Sequence, residues 1–311
     1  MKTVNIIMAT CNGEKYLREQ MESLLGQTYP VRIYVKDDAS TDSTMQILQE
    51  YDGYSQGGTE VHVFGNTEKL GYPMCFWRPL LDCPRADYYA FCDQDDVWIS
   101  DKIERAVKCL EGKREDIPIL HYSAVNYCDG ELNVVRKSQF AVNYRGNDPK
   151  ADPYKLIYSG EALGMTFLFN NAMREIIRTA VEKDHAIYKD EFIKKAAAVM
   201  GEVYYNTDPE VNYRRHSSTV MGDANPTSLL KRYLILMRAY FKDKSNLQED
   251  YYTFQYFYDN YHDQIHDKEM LKLVWAFRDG GKWIRCFFRR RYRFLLVDEI
   301  GIRVFIALGR R

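Results

Sequence analysis

Apolar and polar positions alternate between two periods through the first half of the chain. Short apolar runs at residues 4–9, 32–36, 61–64 and 88–92 read as buried strands. Between them lie segments with the repeat of amphipathic helices: residues 14–25, a stretch through Met45, Ile47 and Leu48, and residues 76–81. Alternation of this kind predicts an α/β fold built on a mostly parallel sheet flanked by helices. Further along, residues 100–110, 172–181 and 190–200 predict helices, the last with an acidic first turn, and residues 119–125 and 164–169 predict strands. Residues 135–152 are polar and without periodicity, which predicts a surface loop. Beyond Pro226 the strand signals stop and aromatic-rich helices take over, so a boundary is expected near 222–226. It divides a catalytic domain, 1–222, from a helical, basic and aromatic extension, 223–311.

Ligands of such sheets bind beyond the carboxyl ends of the strands. That rule places Thr10, Asp38 and the acidic run after residue 92 on one rim. In that run, Asp93-Gln94-Asp95-Asp96, three carboxylates fall within four positions. Side chains alternate along extended backbone, so Asp93 and Asp95 are expected on one side and Gln94 on the other. Their repulsion is relieved by protonation or by a hard divalent cation with oxygen ligands. Mg²⁺ takes only one or two protein carboxylates and fills its shell with water and phosphates, so a diphosphate is the natural companion. The plainer alternative is a solvated acidic turn that caps the helix starting near Ser100.

The 311 residues exceed the usual size of one domain. With 43 basic and 44 acidic residues there is no overall field to recruit nucleic acid, and none is expected as a partner. Seven cysteines without a C-x-x-C pair fit a reducing compartment, so a cytoplasmic location is expected. Residues 4–8 are too short and polar for a signal segment, and no window approaches the ~20 apolar residues that span a bilayer. The stretch 282–296 combines Trp283, Phe287 and Phe288 with Arg285, Arg289, Arg290, Arg291 and Arg293. Such a stretch suits peripheral contact with the anionic inner face of a plasma membrane, or a solvated helix face packed on the catalytic domain. Residues 251–258, rich in Tyr and Phe, predict helix packing or self-association rather than a base-stacking platform, because no cations interleave with them.

Four ordered segments now carry a resemblance: Met8-Ala9-Thr10-Cys11-Asn12-Gly13-Glu14, Asp37-Asp38-Ala39-Ser40-Thr41-Asp42, the D-x-D at Asp93 and Asp95, and Tyr213-Arg214-Arg215-His216. Over residues 1 to about 222 the chain resembles a family 2 glycosyltransferase of the GT-A fold, the inverting type that depends on nucleotide sugars. The resemblance implies that Thr10, Asn12 and Glu14 line the nucleotide site and that Asp38 accepts from the pyrimidine imide. It implies that Asp93 meets the ribose and that Asp95 holds Mg²⁺ or Mn²⁺ on the diphosphate, with His216 as a supplementary metal or phosphate ligand. Arg214 or Arg215 would neutralise phosphate charge. Asp190 aligns with the family's catalytic base, and Glu191 is the fallback.

Two departures are visible. Lys189-Asp190-Glu191-Phe192 stands where rhamnosyl-transferring members often read His-Asp-Trp-Trp, and Ala39 stands where Gly is usual. Phe91-Cys92-Asp93-Gln94-Asp95-Asp96-Val97-Trp98 resembles the rhamnosyltransferase form of the motif, implying dTDP-rhamnose as donor and a cell-surface or lipid-linked saccharide as acceptor. A UDP-hexose or UDP-N-acetylhexosamine donor remains open. A sugar-phosphate nucleotidyltransferase would carry a Gly-rich phosphate loop after its first strand, which Cys11-Asn12-Gly13-Glu14 is not. A catalytically silent binding or scaffold protein is the other rival, made plausible by the altered Lys189–Glu191 segment.

Overall fold

A computed structural model describes residues 1–65, 68–138, 150–157, 162–183, 189–215 and 245–279, together with Arg303. Ten strands form one mixed sheet: β1 (Val4–Thr10), β2 (Arg32–Asp37), β3 (Ser55–Gln56), β4 (Thr59–Phe64), β5 (Tyr88–Cys92), β6 (Val97–Trp98), β7 (Ile119–Cys128), β8 (Val134–Lys137), β9 (Leu168–Asn170) and β10 (Glu202–Arg214). Their spatial order is β3-β4-β2-β1-β5-β9-β7-β10-β6, with β8 on β7. The four strands β4, β2, β1 and β5 are mutually parallel, as the alternating pattern predicts. Their apolar runs are buried on both faces, by α1 (Leu17–Leu25) and α2 (Thr44–Gln49) in one core and α3 (Met74–Asp82) in the other.

The second half of the sheet departs from the expected pattern. Residues 164–169 are not one strand. Gly164–Thr166 forms a 3₁₀ turn, and only Leu168–Asn170 pairs, antiparallel to both β5 and β7. Tertiary bonds decide the turn: the Gly164 N–H donates to Asp190 and the Thr166 carbonyl accepts from Lys102. The long strand β10 has no counterpart in the sequence expectations, because Asp208-Pro209 breaks its alternation. It runs parallel to β7 through register shifts between Asn206, Pro209 and Val211. Proline is tolerated in a strand at such irregularities, where its missing N–H is not needed. Part of the expected loop, Val134–Lys137, pairs as β8.

Helices α4 (Lys102–Leu110), α5 (Pro153–Ile157), α6 (Asn171–Glu182) and α7 (Lys189–Met200) cover the sheet. The Asn170 side chain caps α6 by accepting from the Met173 N–H at 3.1 Å. Downstream, α8 (Ser245–Tyr261) and α9 (Lys268–Asp279) pack together and against α7. Phe192 on α7 meets Tyr256 and Phe257 on α8 at ring distances of 6.2 and 5.4 Å, and all three belong to the larger buried core. Among the described residues no helix is long and apolar enough to cross a membrane. The boundary near 222–226 and the basic stretch 282–296 lie outside the described residues.

Candidate active site

Loops leaving β1, β2 and β5 are tied to one another on the same rim. Parallel register sets Thr10 beside Asp37 at the strand ends, and the Thr10 hydroxyl donates to Asp37 Oδ1 at 2.9 Å. Asp37 also accepts from the Ser40 N–H and hydroxyl, a clamp around Ala39, whose φ is 61°. That left-handed geometry costs a non-glycine residue roughly 1 kcal/mol, which the two flanking bonds offset. Thr10 is therefore buried and engaged with Asp37, so its hydroxyl shapes the turn that carries Asp38.

Asp38, 3% exposed, accepts from the Leu70 N–H at 2.5 Å and from the Gly71 N–H at 2.9 Å, one on each oxygen. Two carboxylate oxygens offer about four lone-pair sites, so acceptor capacity remains. Asn12 and Glu14 bridge to the β2 loop, with Asn12 Oδ1 accepting from the Thr41 N–H at 2.8 Å and Glu14 Oε2 from the Ser43 N–H at 2.9 Å. Gln94, which the alternation sets apart from its acidic neighbours, is a stitch between loops. Its amide accepts from the Cys11 N–H at 2.7 Å and donates to the Cys11 carbonyl at 3.1 Å. A Cβ on Gly13 would lie 2.4 Å from the same amide, which explains the glycine.

The acidic residues face different surroundings. Burial raises the Asp93 carboxyl, Lys189 opposes the rise, and Asp190 and Asp95 add to it. Asp96 is fully buried, and burial followed by Asp93 and Asp95 raises its carboxyl well above the usual range. Its Oδ1 accepts from the Arg214 N–H at 3.0 Å, while Oδ2 has no hydrogen-bond partner among the described residues. Antiparallel pairing of β10 with β6, Val211 to Trp98 and Asn212 to Val97, delivers Arg214 to this place. Arg214 Nε donates to the Asp95 carbonyl at 2.9 Å, and its two other nitrogens donate to the Gly130 carbonyl and to Glu19 Oε2. With a 2% exposed side chain so engaged, Arg214 braces the acidic loop. Arg215 is half-buried, and its charge acts on the Tyr213 hydroxyl together with those of Asp96, Asp93 and Asp95. His216 lies outside the described residues.

Asp190 stands in the first turn of α7 and joins this rim from the other side. Its Oδ2 accepts from the Gly164 N–H at 3.0 Å, and its Oδ1 lies 3.5 Å from Lys189 Nζ. Lys189 Nζ is also 4.0 Å from Asp93 Oδ1. Burial pushes the Cys75 thiol up to about 11, with Asp38 and Asp93 raising it and Lys189 lowering it, so Cys75 has all three as neighbours. Lys189 thus links Asp93 and Asp190 on one rim, Asp95 acts on Asp93 there, and Cys75 feels both Asp38 and Asp93. Glu191 is set apart from them. Burial pushes its carboxyl up, but the Lys194 and Lys195 ammonium groups outweigh that and bring it down to about 2. A carboxylate clamped by two lysines is a poor general base.

No three His, Cys, Asp or Glu side chains among the described residues converge as a ready cation cage. Mg²⁺ does not need one, because one or two carboxylates suffice when phosphates complete the shell. Asp95 could supply such a carboxylate, and its repulsion with Asp93 is one that a cation would relieve. Two residues of the crevice escaped sequence reasoning. Gly164 carried no signal beyond its size, and Lys189 was visible only as the replacement for a histidine.

The family described as "Glycosyl transferase family 2" matches residues 5–173. The chain is 34% identical over 228 residues to a Shigella flexneri protein named dTDP-rhamnosyl transferase RfbG, covering 69% of this chain and 73% of that one. Residues 1–349 of Staphylococcus aureus TarS, solved in complex with UDP-GlcNAc, share the fold at a TM-score of 0.52 and 19% identity, over 91% of this chain and 81% of that chain. GalNAc-T7, solved with UDP, GalNAc and Mn²⁺, shares it at a TM-score of 0.52 and 14% identity, over 90% of this chain and 55% of that chain. The chain belongs to glycosyl transferase family 2. Its mixed sheet flanked by helices is the GT-A fold, and the protein is a glycosyltransferase.

Proposed function

We propose that the protein is an inverting, metal-assisted transferase that moves rhamnose from dTDP-rhamnose onto a cell-surface polysaccharide or a lipid-linked saccharide. The observation that carries the reading is Asp190, held by the Gly164 N–H beside Asp93 on the rim where the β1, β2 and β5 loops meet. Oδ1 of Asp190 is buried beside Lys189, while the side chain as a whole is 35% exposed and Oδ2 is fixed by that bond. Oδ2 keeps lone-pair capacity to take a proton from an acceptor hydroxyl. The acceptor oxygen forms a bond to the anomeric carbon as the bond from that carbon to the diphosphate breaks. The electron pair leaves with the nucleoside diphosphate and the proton passes to Asp190. Asp38 and the Asn12–Glu14 loop would frame the pyrimidine, and Asp93 the ribose.

Asp95 would hold Mg²⁺ or Mn²⁺, which when bound offsets charge on the leaving diphosphate. Arg214 or Arg215 would neutralise part of that charge. The rhamnosyl assignment is supported by the name of the Shigella relative and by the form of the acidic motif. Peripheral attachment to a membrane through 282–296 belongs to the same reading, because a lipid-linked acceptor would be presented there. A donor panel of dTDP-rhamnose, UDP-glucose and UDP-GlcNAc with Mn²⁺, scored by release of nucleoside diphosphate, tests it. Turnover of dTDP-rhamnose that is lost in Asp190→Asn while donor binding persists is the expected result. Equal turnover by Asp190→Asn would remove the base assignment, and preference for a UDP-sugar would remove rhamnose.

A further inference from the structure

Lys189 is a buried ammonium in an unusual place. Cations near a helix N-terminus oppose the helix dipole, and an ammonium taken out of water without compensation costs several kcal/mol. Lys189 is in the first turn of α7, and its side chain is 3% exposed. What surrounds it supplies the compensation. Nζ lies 3.7 Å from the ring centre of Phe76 and 4.6 Å from that of Phe91, and it reaches Asp190 Oδ1 at 3.5 Å and Asp93 Oδ1 at 4.0 Å. The Lys189 N–H donates to the Tyr72 hydroxyl at 3.0 Å, which fixes the backbone from which the side chain departs. Two aromatic faces hold one side of the ammonium and two carboxylates flank it.

Both ion-pair distances exceed those of a hydrogen bond. The ammonium therefore attracts the two acids through Asp190 Oδ1 and Asp93 Oδ1 and leaves Asp190 Oδ2, the oxygen on the Gly164 N–H, for the acceptor. Resting on the transferase reading above, we propose that Lys189 is a resident counter-ion that holds Asp93 and Asp190 together, dividing the acidic crevice into a metal-free half around Asp190 and a metal-binding half at Asp95. Lys189 is thus a positioning residue. It keeps the base carboxylate in place whether or not a divalent ion is bound, and it keeps that ion from bridging to the base.

The test is a titration with Mn²⁺ of protein carrying one equivalent of dTDP, read from the electron paramagnetic resonance of free Mn²⁺, for wild type, Lys189→Met and Lys189→Arg. Methionine retains the packing on Phe76 and Phe91 but not the charge. Lys189→Met is expected to bind Mn²⁺ about tenfold more tightly, because a neighbouring positive charge has gone and Asp190 is released to the metal. Lys189→Arg should stay within threefold of wild type. In the double variant Lys189→Met/Asp190→Asn the gain should be lost, which a merely structural role for Lys189 would not produce. Unchanged Mn²⁺ affinity in a folded Lys189→Met protein, or a gain that survives in the double variant, overturns the proposal. If Lys189→Met melts below the assay temperature, Lys189→Gln carries the same titration and the same criteria. With a working donor, Lys189→Met should lower kcat about thirtyfold and leave the donor KM within threefold. A wild type that turns over no nucleotide sugar would defeat the transferase reading while leaving the Mn²⁺ titration to decide the role of Lys189.

Discussion

Asp190 Oδ2 accepts from the Gly164 N–H at 3.0 Å, and a Cβ on Gly164 would come within 2.1 Å of Asp190 Oδ1. The carboxylate rests against bare backbone. Gly164→Ala is therefore expected to push Asp190 off its perch with little change elsewhere in the fold. Displacing a reacting group by about 1 Å costs on the order of a hundredfold in rate, so kcat should fall by about that factor while the donor KM holds. Steady-state kinetics of the variant decide, and wild-type kcat would show that Asp190 is not positioned by this contact.

Asp38 anchors the segment at Leu70 and Gly71 through two backbone N–H groups. Bonds to a charged acceptor are worth about 1.5–3 kcal/mol each. Asp38→Ala should lower stability by about 2 kcal/mol or more in urea unfolding and should weaken dTDP binding in the same protein. A loss of nucleotide affinity at unchanged stability would place Asp38 on the ligand and not on the loop.

Arg214 joins the Asp95 carbonyl, the Gly130 carbonyl and Glu19 with one planar fork. A lysine cannot span the three acceptors at once. Arg214→Lys should loosen the acidic loop and raise the dissociation constant of the Mn²⁺–dTDP complex about tenfold by calorimetry. Retained affinity would mean the loop is held well enough by Gln94 alone.

Glu191 gives a stability signature in acid. Its carboxyl is brought from an ordinary 4.5 to about 2 by Lys194 and Lys195 against the effect of burial. A folded-state value below the unfolded one stabilises above the unfolded value, and the gain disappears as pH falls through the folded value. Glu191→Gln should therefore melt below wild type at pH 7, and the gap should narrow from about pH 4.5 toward pH 2. Melting curves at pH 7, 5 and 3 check the sign, and a gap that widens in acid contradicts the pairing.

The basic stretch 282–296 carries a prediction from sequence alone. Each basic residue near anionic headgroups contributes about 1 kcal/mol, so replacing Arg289, Arg290 and Arg291 by alanine should weaken binding to phosphatidylserine vesicles roughly a hundredfold. Flotation assays measure it, and equal flotation would mean that the stretch does not meet lipid.

The rim formed by β1, β2 and β5 was legible because its signals are local. Apolar runs that end in Thr10, Asp38 and Asp93 announce parallel strands and their carboxyl ends, and the register of β1 with β2 and β5 follows from them. The other half is made by tertiary contacts that leave little trace in a short window. Thr166 and Gly164 read as strand, yet Lys102 and Asp190 bend them into a turn. The strand β10 hides behind Asp208-Pro209, and with it the contacts of Arg214, which depend on pairing across more than a hundred residues of chain. Lys189 drew notice only as a replaced histidine, because two rings and a distant carboxylate are assembled around it by the fold.

The stretch from Asp93 to Asp96 leaves a central strand, β5, and ends in β6 at the far edge of the sheet. It is fastened on the way by Gln94 to Cys11 and by Arg214 to the Asp95 carbonyl. A segment secured at both ends and twice in between has surrendered its conformational freedom during folding. Ligand capture there begins from a loop already frozen, so the heat and speed of association should reflect charge and dehydration and not the ordering of backbone.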